Sequence, residues 1–205
     1  AYRSEHLHFE LPGNHGELPL PGLKSFPKTE LLDLTFLGQI ARTYIVARNG
    51  EGLALIDQHI AEERHLYEKL IEKGEIASQQ LLMSVIIELD ALDFGLLEEH
   101  QALFTQCGFS IEMFGTTSIA VRAVPHFSNK NEFHVSEVEP TIREMLKDLR
   151  ETGVTKTHLE QFNYVCKTIA CHAAVRAGDE LTLAQMEKII ENWKVTQNPY
   201  TCPHG

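Results

Sequence analysis

The chain has 205 residues, 43% of them hydrophobic, and 29 acidic against 18 basic side chains give a formal net charge of −11. That length supports one good core, or a core with a small satellite, and no run reaches the ~18 apolar residues that suggest a membrane span. The acidic balance repels phosphate and speaks against a free-standing reader of duplex DNA, so any action on DNA needs a partner or a second domain.

Residues 1–30 carry prolines at 12, 19, 21 and 27 and glycines at 13, 16 and 22 with little periodicity. They lack the apolar stretch of a secretory signal and read as the end of a linker in a longer protein. Order is expected from Leu31. Residues 42–48 and 53–56 are β-branched or aliphatic runs around Asn49-Gly50-Glu51-Gly52, a strong hairpin signal. The second run passes into Asp57-Gln58-His59 and a polar stretch to Lys73, where Leu66, Tyr67 and Leu70 form a helical stripe. An apolar run follows at 80–90. Leu92–Gln106 reads as one helix, with Leu92, Leu96, Leu97 and Leu103 buried and Gly108 beyond its end. Short strands are predicted at 109–114 and 118–124, and helices at 136–151 and 157–177, the latter closed by Gly178. Thr182 and Gln185 have capping-box spacing and start a last helix over 183–194. The order of elements predicts an α+β fold in two lobes.

Three segments carry chemistry-bearing residues. His59 and Glu63 are four apart, which on a helix stacks them one turn apart where both can reach one cation. Imidazole with carboxylate suits zinc, manganese or iron, but a bare His-x-x-x-Glu is more often a solvated helix face. Cys202-Pro203-His204 brings a thiol and an imidazole together, again donors that zinc prefers. Cys171 lies in the 157–177 helix. The four cysteines, at 107, 166, 171 and 202, are irregularly spaced and fit free thiols in a reducing compartment; Cys166 reads as packing.

Taken together and in order, these segments resemble the endonuclease-proficient C-terminal domain of the MutL family of DNA mismatch-repair proteins. The family's D-Q-H-A-x-x-E-x-x-x-x-E signature appears as Asp57, Gln58, His59, Ile60, Glu63 and Glu68, with Ile in place of Ala. Its A-C-(H/R/K)-x-x-x-(K/R) motif appears as Ala170, Cys171, His172 and Arg176, and its C-P-(H/N)-G-R-P motif begins as Cys202, Pro203, His204 and Gly205. The Arg-Pro pair and the family's later F-x-R are not in this chain, so an incomplete site with mobile C-terminal ligands is expected.

The resemblance implies metal-dependent nicking of one DNA strand, with Asp57, His59 and Glu63 catalytic. It implies a metal site on His59, Glu63, Cys171, Cys202 and His204, supported by Gln58, Glu68 and Arg176. Asp57 and Glu63 are hard donors for Mn²⁺ or Mg²⁺ in cleavage, and the thiolates suit a structural or regulatory Zn²⁺. At about 100° per residue Glu68 points roughly 180° away from His59, so it is expected outside the ligand shell. The resemblance further implies a homodimer, activation by a sliding clamp, other mismatch-repair proteins as partners, weak binding of duplex DNA by this part alone, and ATP used only in an N-terminal domain not in this chain. It also implies a bacterial-type cytoplasmic location near the nucleoid, with no membrane. The clamp would contact Gln79, Leu81 and Leu82 in the stretch Gln79-Gln80-Leu81-Leu82-Met83-Ser84, where Ser84 replaces the family's proline; the plainer reading is a buried strand start. Residues 31–78 with 178–205 are expected to form the dimerisation lobe, and 79–177 an inserted regulatory lobe.

Two alternatives stand beside this reading. One is a non-catalytic, zinc-stabilised module that dimerises and recruits partners. The other is a zinc hydrolase on His59 and Glu63, disfavoured because His65, six residues from His59, faces elsewhere. Trp193 and the phenylalanines read as core, His6, His8 and His15 as solvated linker, and His126 and His134 have no partner spacing for a metal.

Overall fold

A meander opens the ordered chain: β1 (Leu34–Ile40), β2 (Tyr44–Asn49) and β3 (Gly52–Asp57) pair antiparallel in that order. The computed structural model describes residues 34–50, 52–127, 133–152, 157–199 and 201–203. The linker reading of residues 1–30, and the metal-ligand reading of His204, lie outside the described residues. Then follow α1 (Gln58–Lys73), β4 (Ser78–Glu88), α2 (Ala91–Glu99), α3 (Gln101–Gln106), β5 (Ser110–Phe114), β6 (Ser118–Pro125), α4 (Val135–Thr152), α5 (His158–Ala173) and α6 (Leu183–Lys194). The second sheet has the order β4-β6-β5, so β4 is an edge. The fold is α+β. No helix among the described residues is long and apolar enough to cross a membrane.

The β2–β3 hairpin sits on the Asn-Gly signal, with Asn49 paired to Gly52. Alternation then sorts its side chains: Ile45 and Ala47 pair with Ile56 and Ala54 on the inner face, and pack against Met186, Ile189, Ile190 and Trp193 of α6 and Ala61 of α1. Strand β1 has no clean alternation, because a bulge between Phe36 and Gly38 shifts its register, and the sequence pattern alone does not reveal it.

A second core gathers β4–β6 with α2–α5. Its fully buried members include Ile87, Leu97, Phe104, Phe109, Ile142 and Leu146. Gly108 lets the chain pass between α3 and β5: a Cβ there would meet the Ala77 carbonyl oxygen at 3.0 Å and Pro125 Cα at 3.1 Å. Helix α1 serves both cores, Ala61 in the first, Leu66 and Leu70 in the second. Each such leucine contributes about 1.5–3 kcal/mol of burial, so α1 is held from two sides.

Two helix expectations need correction. Residues 92–106 are two helices that meet at His100, whose φ of −103° and ψ of 17° leave the helical range. On one straight helix Leu97 and Leu103 would lie roughly 120° apart; the break lets both turn fully inward. Leu92, at the start of α2, is exposed. Helix α5 stops at Ala173, and Gly178 is not its cap: Ala174 is extended, and Gly178 N–H donates to the Arg42 carbonyl. Side chains of α1 capture the backbone here, Glu62 accepting from Val175 N–H and Gln58 donating to the Arg176 carbonyl. The α6 capping box of Thr182 and Gln185 is formed in both directions.

Candidate metal centre

The β3–α1 junction sets the site. Asp57 ends the strand and caps the helix, its Oδ1 accepting from Ile60 N–H at 3.0 Å. That bond starts α1 directly after the strand, so His59 and Glu63 lie on its first two turns. Glu63 is almost fully buried and its Oε2 lies 3.9 Å from His59 Nε2. On α5, Cys171 brings Sγ to 3.8 Å from the same nitrogen. The His59, Glu63 and Cys171 donors all lie within 4.8 Å of one another.

These residues fit a metal. Donors around a tetrahedral zinc ion sit about 3.4–3.6 Å apart, a few tenths of an ångström inside the 3.9 and 3.8 Å that separate His59 Nε2 from Glu63 and Cys171. The ring of His59 is also set for it: Nδ1 is 2.9 Å from the Val175 carbonyl, to which it donates, so that Nε2, the nitrogen facing Glu63 and Cys171, is the one a metal would take. Burial pushes the Cys171 thiol up to about 11, helped by the Glu63 and Glu144 carboxylates, while Arg176 pulls the other way and Cys202 adds to the rise. A cation beside it would reverse that balance.

The other motif residues divide by what they touch. Gln58, fully buried, accepts from Gln39 Nε2 at 2.6 Å and donates to the carbonyls of Arg42, Arg176 and Asp179. It ties the chain after α5 to the start of α1 and so fixes Cys171 against His59. His172 turns away from the centre, with Nδ1 3.0 Å from Glu137 and Nε2 2.7 Å from Glu144. Arg176 pairs with Glu137 as well. Burial alone would raise the Glu137 carboxyl, but the hydrogen bond from His172 and the charge and hydrogen bond of Arg176 outweigh it and hold the group below its usual range. Asp57 is not among the three clustered donors. Cys202 lies outside the cluster too, although its thiol is close enough for its charge to act on Cys171.

Glu68 lies away from His59 and accepts from Gln197 N–H at 2.7 Å and Asn198 N–H at 3.1 Å. Arg64, one turn earlier, donates to the Thr201 and Cys202 carbonyls. Sequence reasoning missed Arg64, Glu62 and Gln39. The available signal was the i, i+4 spacing of Arg64 and Glu68, which puts both on one face; it reads as an exposed ion pair, whereas both side chains grip the tail backbone.

Gln79, Leu81 and Leu82 lie on the edge strand β4, away from the centre. The ladder to β6 slips between Gln80 and Val85, and Leu82 and Met83 are 105% and 83% exposed while Leu81 packs on the core. Gln79 Oε1 is 3.3 Å from His126 Nδ1.

The family model described as the MutL C terminal dimerisation domain matches residues 37–181. The chain is similar to a DNA mismatch repair protein MutL of Clostridium botulinum (strain Kyoto / Type A2), 36% identical over 195 residues, covering 94% of this chain and 28% of that protein. A MutL of Herminiimonas arsenicoxydans is 36% identical over 197 residues, 94% of this chain and 30% of that protein. One of Clostridium tetani is 33% identical over 180 residues, 86% of this chain and 28% of that protein. The chain therefore spans under a third of the relatives it matches. With that match running from the first sheet through the helix that carries Cys171, the chain belongs to the MutL C terminal dimerisation domain family.

Proposed function

We propose that this domain is a metal-dependent, single-strand-nicking DNA endonuclease and homodimerisation domain of a mismatch-repair protein. The observation that carries the nuclease reading is the His59–Glu63–Cys171 cluster, with the Val175 carbonyl holding His59 in the ligating tautomer. Glu63 and Asp57 supply carboxylate oxygens suited to Mn²⁺ or Mg²⁺, and Cys171 and Cys202 supply sulfur suited to Zn²⁺. His204 completes the proposed ligand set. Bound divalent ions would lower the pKa of a water and offset charge on the attacked phosphate. The chain's own part is to hold these donors at fixed spacing: Gln58 and Glu62 anchor the end of α5, and the Asp57 cap fixes the start of α1.

The formal charge of −11 argues for weak DNA binding by this part alone, so recruitment would come from the rest of the protein, where ATP would act, and from other mismatch-repair proteins and a sliding clamp. Leu82 and Met83, exposed on the irregular edge strand, suit such a clamp, with Gln79 and Leu81 beside them. The outer face of the first sheet presents Ile40, Tyr44, Leu53 and Leu55 to solvent, an apolar patch that a second copy would cover across a two-fold axis.

Plasmid nicking with Mn²⁺, with and without clamp, tests this. Nicking by the wild type and its loss in Glu63→Gln supports the nuclease. Nicking that persists in Glu63→Gln removes the cluster from the chemistry. Absence of nicking in both, with zinc retained, favours the non-catalytic dimerisation module, to which the two thiols also suit. Clamp stimulation that survives Gln79→Ala unchanged would sink the clamp reading.

A further inference from the structure

One buried side chain holds the end of the described chain. Arg64 is 7% exposed, and its Nε donates to the Thr201 carbonyl at 2.7 Å. Its Nη2 donates to Thr201 Oγ1 at 3.0 Å and to the Cys202 carbonyl at 2.7 Å. The guanidinium carbon lies 5.8 Å from the Tyr67 ring centroid. Around it, Glu68 takes the Gln197 and Asn198 N–H groups, and Trp193 Nε1 donates to the Pro199 carbonyl at 2.6 Å. Side chains of α1 and Trp193 of α6 thus hold the tail by directed bonds at residues 197–199, 201 and 202.

Burying a guanidinium is costly, and an aliphatic residue could fill the same space, so the arrangement calls for a reason other than stability. A planar fork with several fixed donors sets orientation in a way that apolar contact does not. Its last bond falls on the carbonyl of Cys202 itself, fixing the backbone from which that thiol departs. Arg64 also directly follows Glu63, so the turn of α1 that presents the cluster's carboxylate also holds the tail segment bearing Cys202.

We infer that Arg64 is a positioning residue that delivers the Cys202 thiol to the His59–Glu63–Cys171 cluster as a second sulfur donor. The inference rests on the metal-centre reading above.

Cobalt(II) titration of the 205-residue chain tests it, reading the thiolate-to-cobalt absorption and, by chelator competition, the affinity. With two sulfur donors, Cys202→Ser removes about half of the band, and Arg64→Ala removes the same share. Each weakens binding roughly 10- to 100-fold. The double variant loses no more than either alone, because both act through one thiol. Far-UV circular dichroism shows that the variants are folded. Arg64→Lys, which keeps charge and stem but not the fork, carries the same readout should Arg64→Ala fail to fold. A full band in folded Arg64 variants, or additive loss in the double variant, overturns the positioning role and leaves the metal centre standing. A full band in Cys202→Ser overturns it as well. No thiolate band in the wild type removes the metal centre and this role with it.

Discussion

His59 and Glu62 hold opposite ends of one peptide unit pair: His59 Nδ1 donates to the Val175 carbonyl at 2.9 Å, and the Val175 N–H donates to Glu62 Oε2 at 2.7 Å. The residue that aligns the imidazole is therefore itself pinned by the same helix. Orientation of the imidazole and placement of Cys171 become one property of the α1–α5 junction.

Glu62→Ala should expose that coupling. It leaves the Val175 N–H without its carboxylate, at a cost of about 1–3 kcal/mol, readable by urea denaturation of the metal-free protein. Glu62→Gln keeps an acceptor oxygen and should recover much of the loss. Equal destabilisation by the two would show that charge, not the hydrogen bond, matters here.

Trp193 joins core to tail. Its ring packs among Ile189, Ile190 and the first sheet, and its Nε1 donates to the Pro199 carbonyl at 2.6 Å. Trp193→Ala should cost about 3–5 kcal/mol, whereas Trp193→Phe retains much of the packing and should lose only about 1–3 kcal/mol. Equal losses in thermal or urea melts would mean that the ring's volume is not what is used.

Glu137 links stability to pH. Its folded carboxyl is held below the ordinary 4.5 through His172 and Arg176. A depressed acid contributes stability that is present above its unfolded pKa and lost as pH falls through the folded one. Denaturation midpoints of the wild type should therefore drop more steeply below about pH 4.5 than those of Glu137→Gln. Parallel curves would remove Glu137 from the acid response.

The outer sheet face makes a prediction about assembly. Leu55→Arg puts a charge within the apolar patch, on a side chain that is 66% exposed in the single chain. Sedimentation should show a shift from dimer to monomer, because an unpaired charge buried at an interface costs several kcal/mol. An unchanged dimer would place the interface elsewhere.

What lies close in the chain was legible from sequence. The Asn49-Gly50 hairpin, the one-turn spacing of His59 and Glu63, and the Thr182–Gln185 capping box rest on steric and hydrogen-bond rules acting over two to four residues, so they are written locally. The motif that resembles the MutL domain is likewise a local string. Tertiary structure decided the rest. Strand β1 forms because β2 accepts it despite its bulge, and α5 stops at Ala173 because Gln58 and Glu62 compete for the backbone beyond it. Arg64 and Glu68 reach across 129 to 138 positions to hold the tail. Such bonds depend on which backbone groups the packed helices leave facing one another, and no short-range pattern of side chains specifies that.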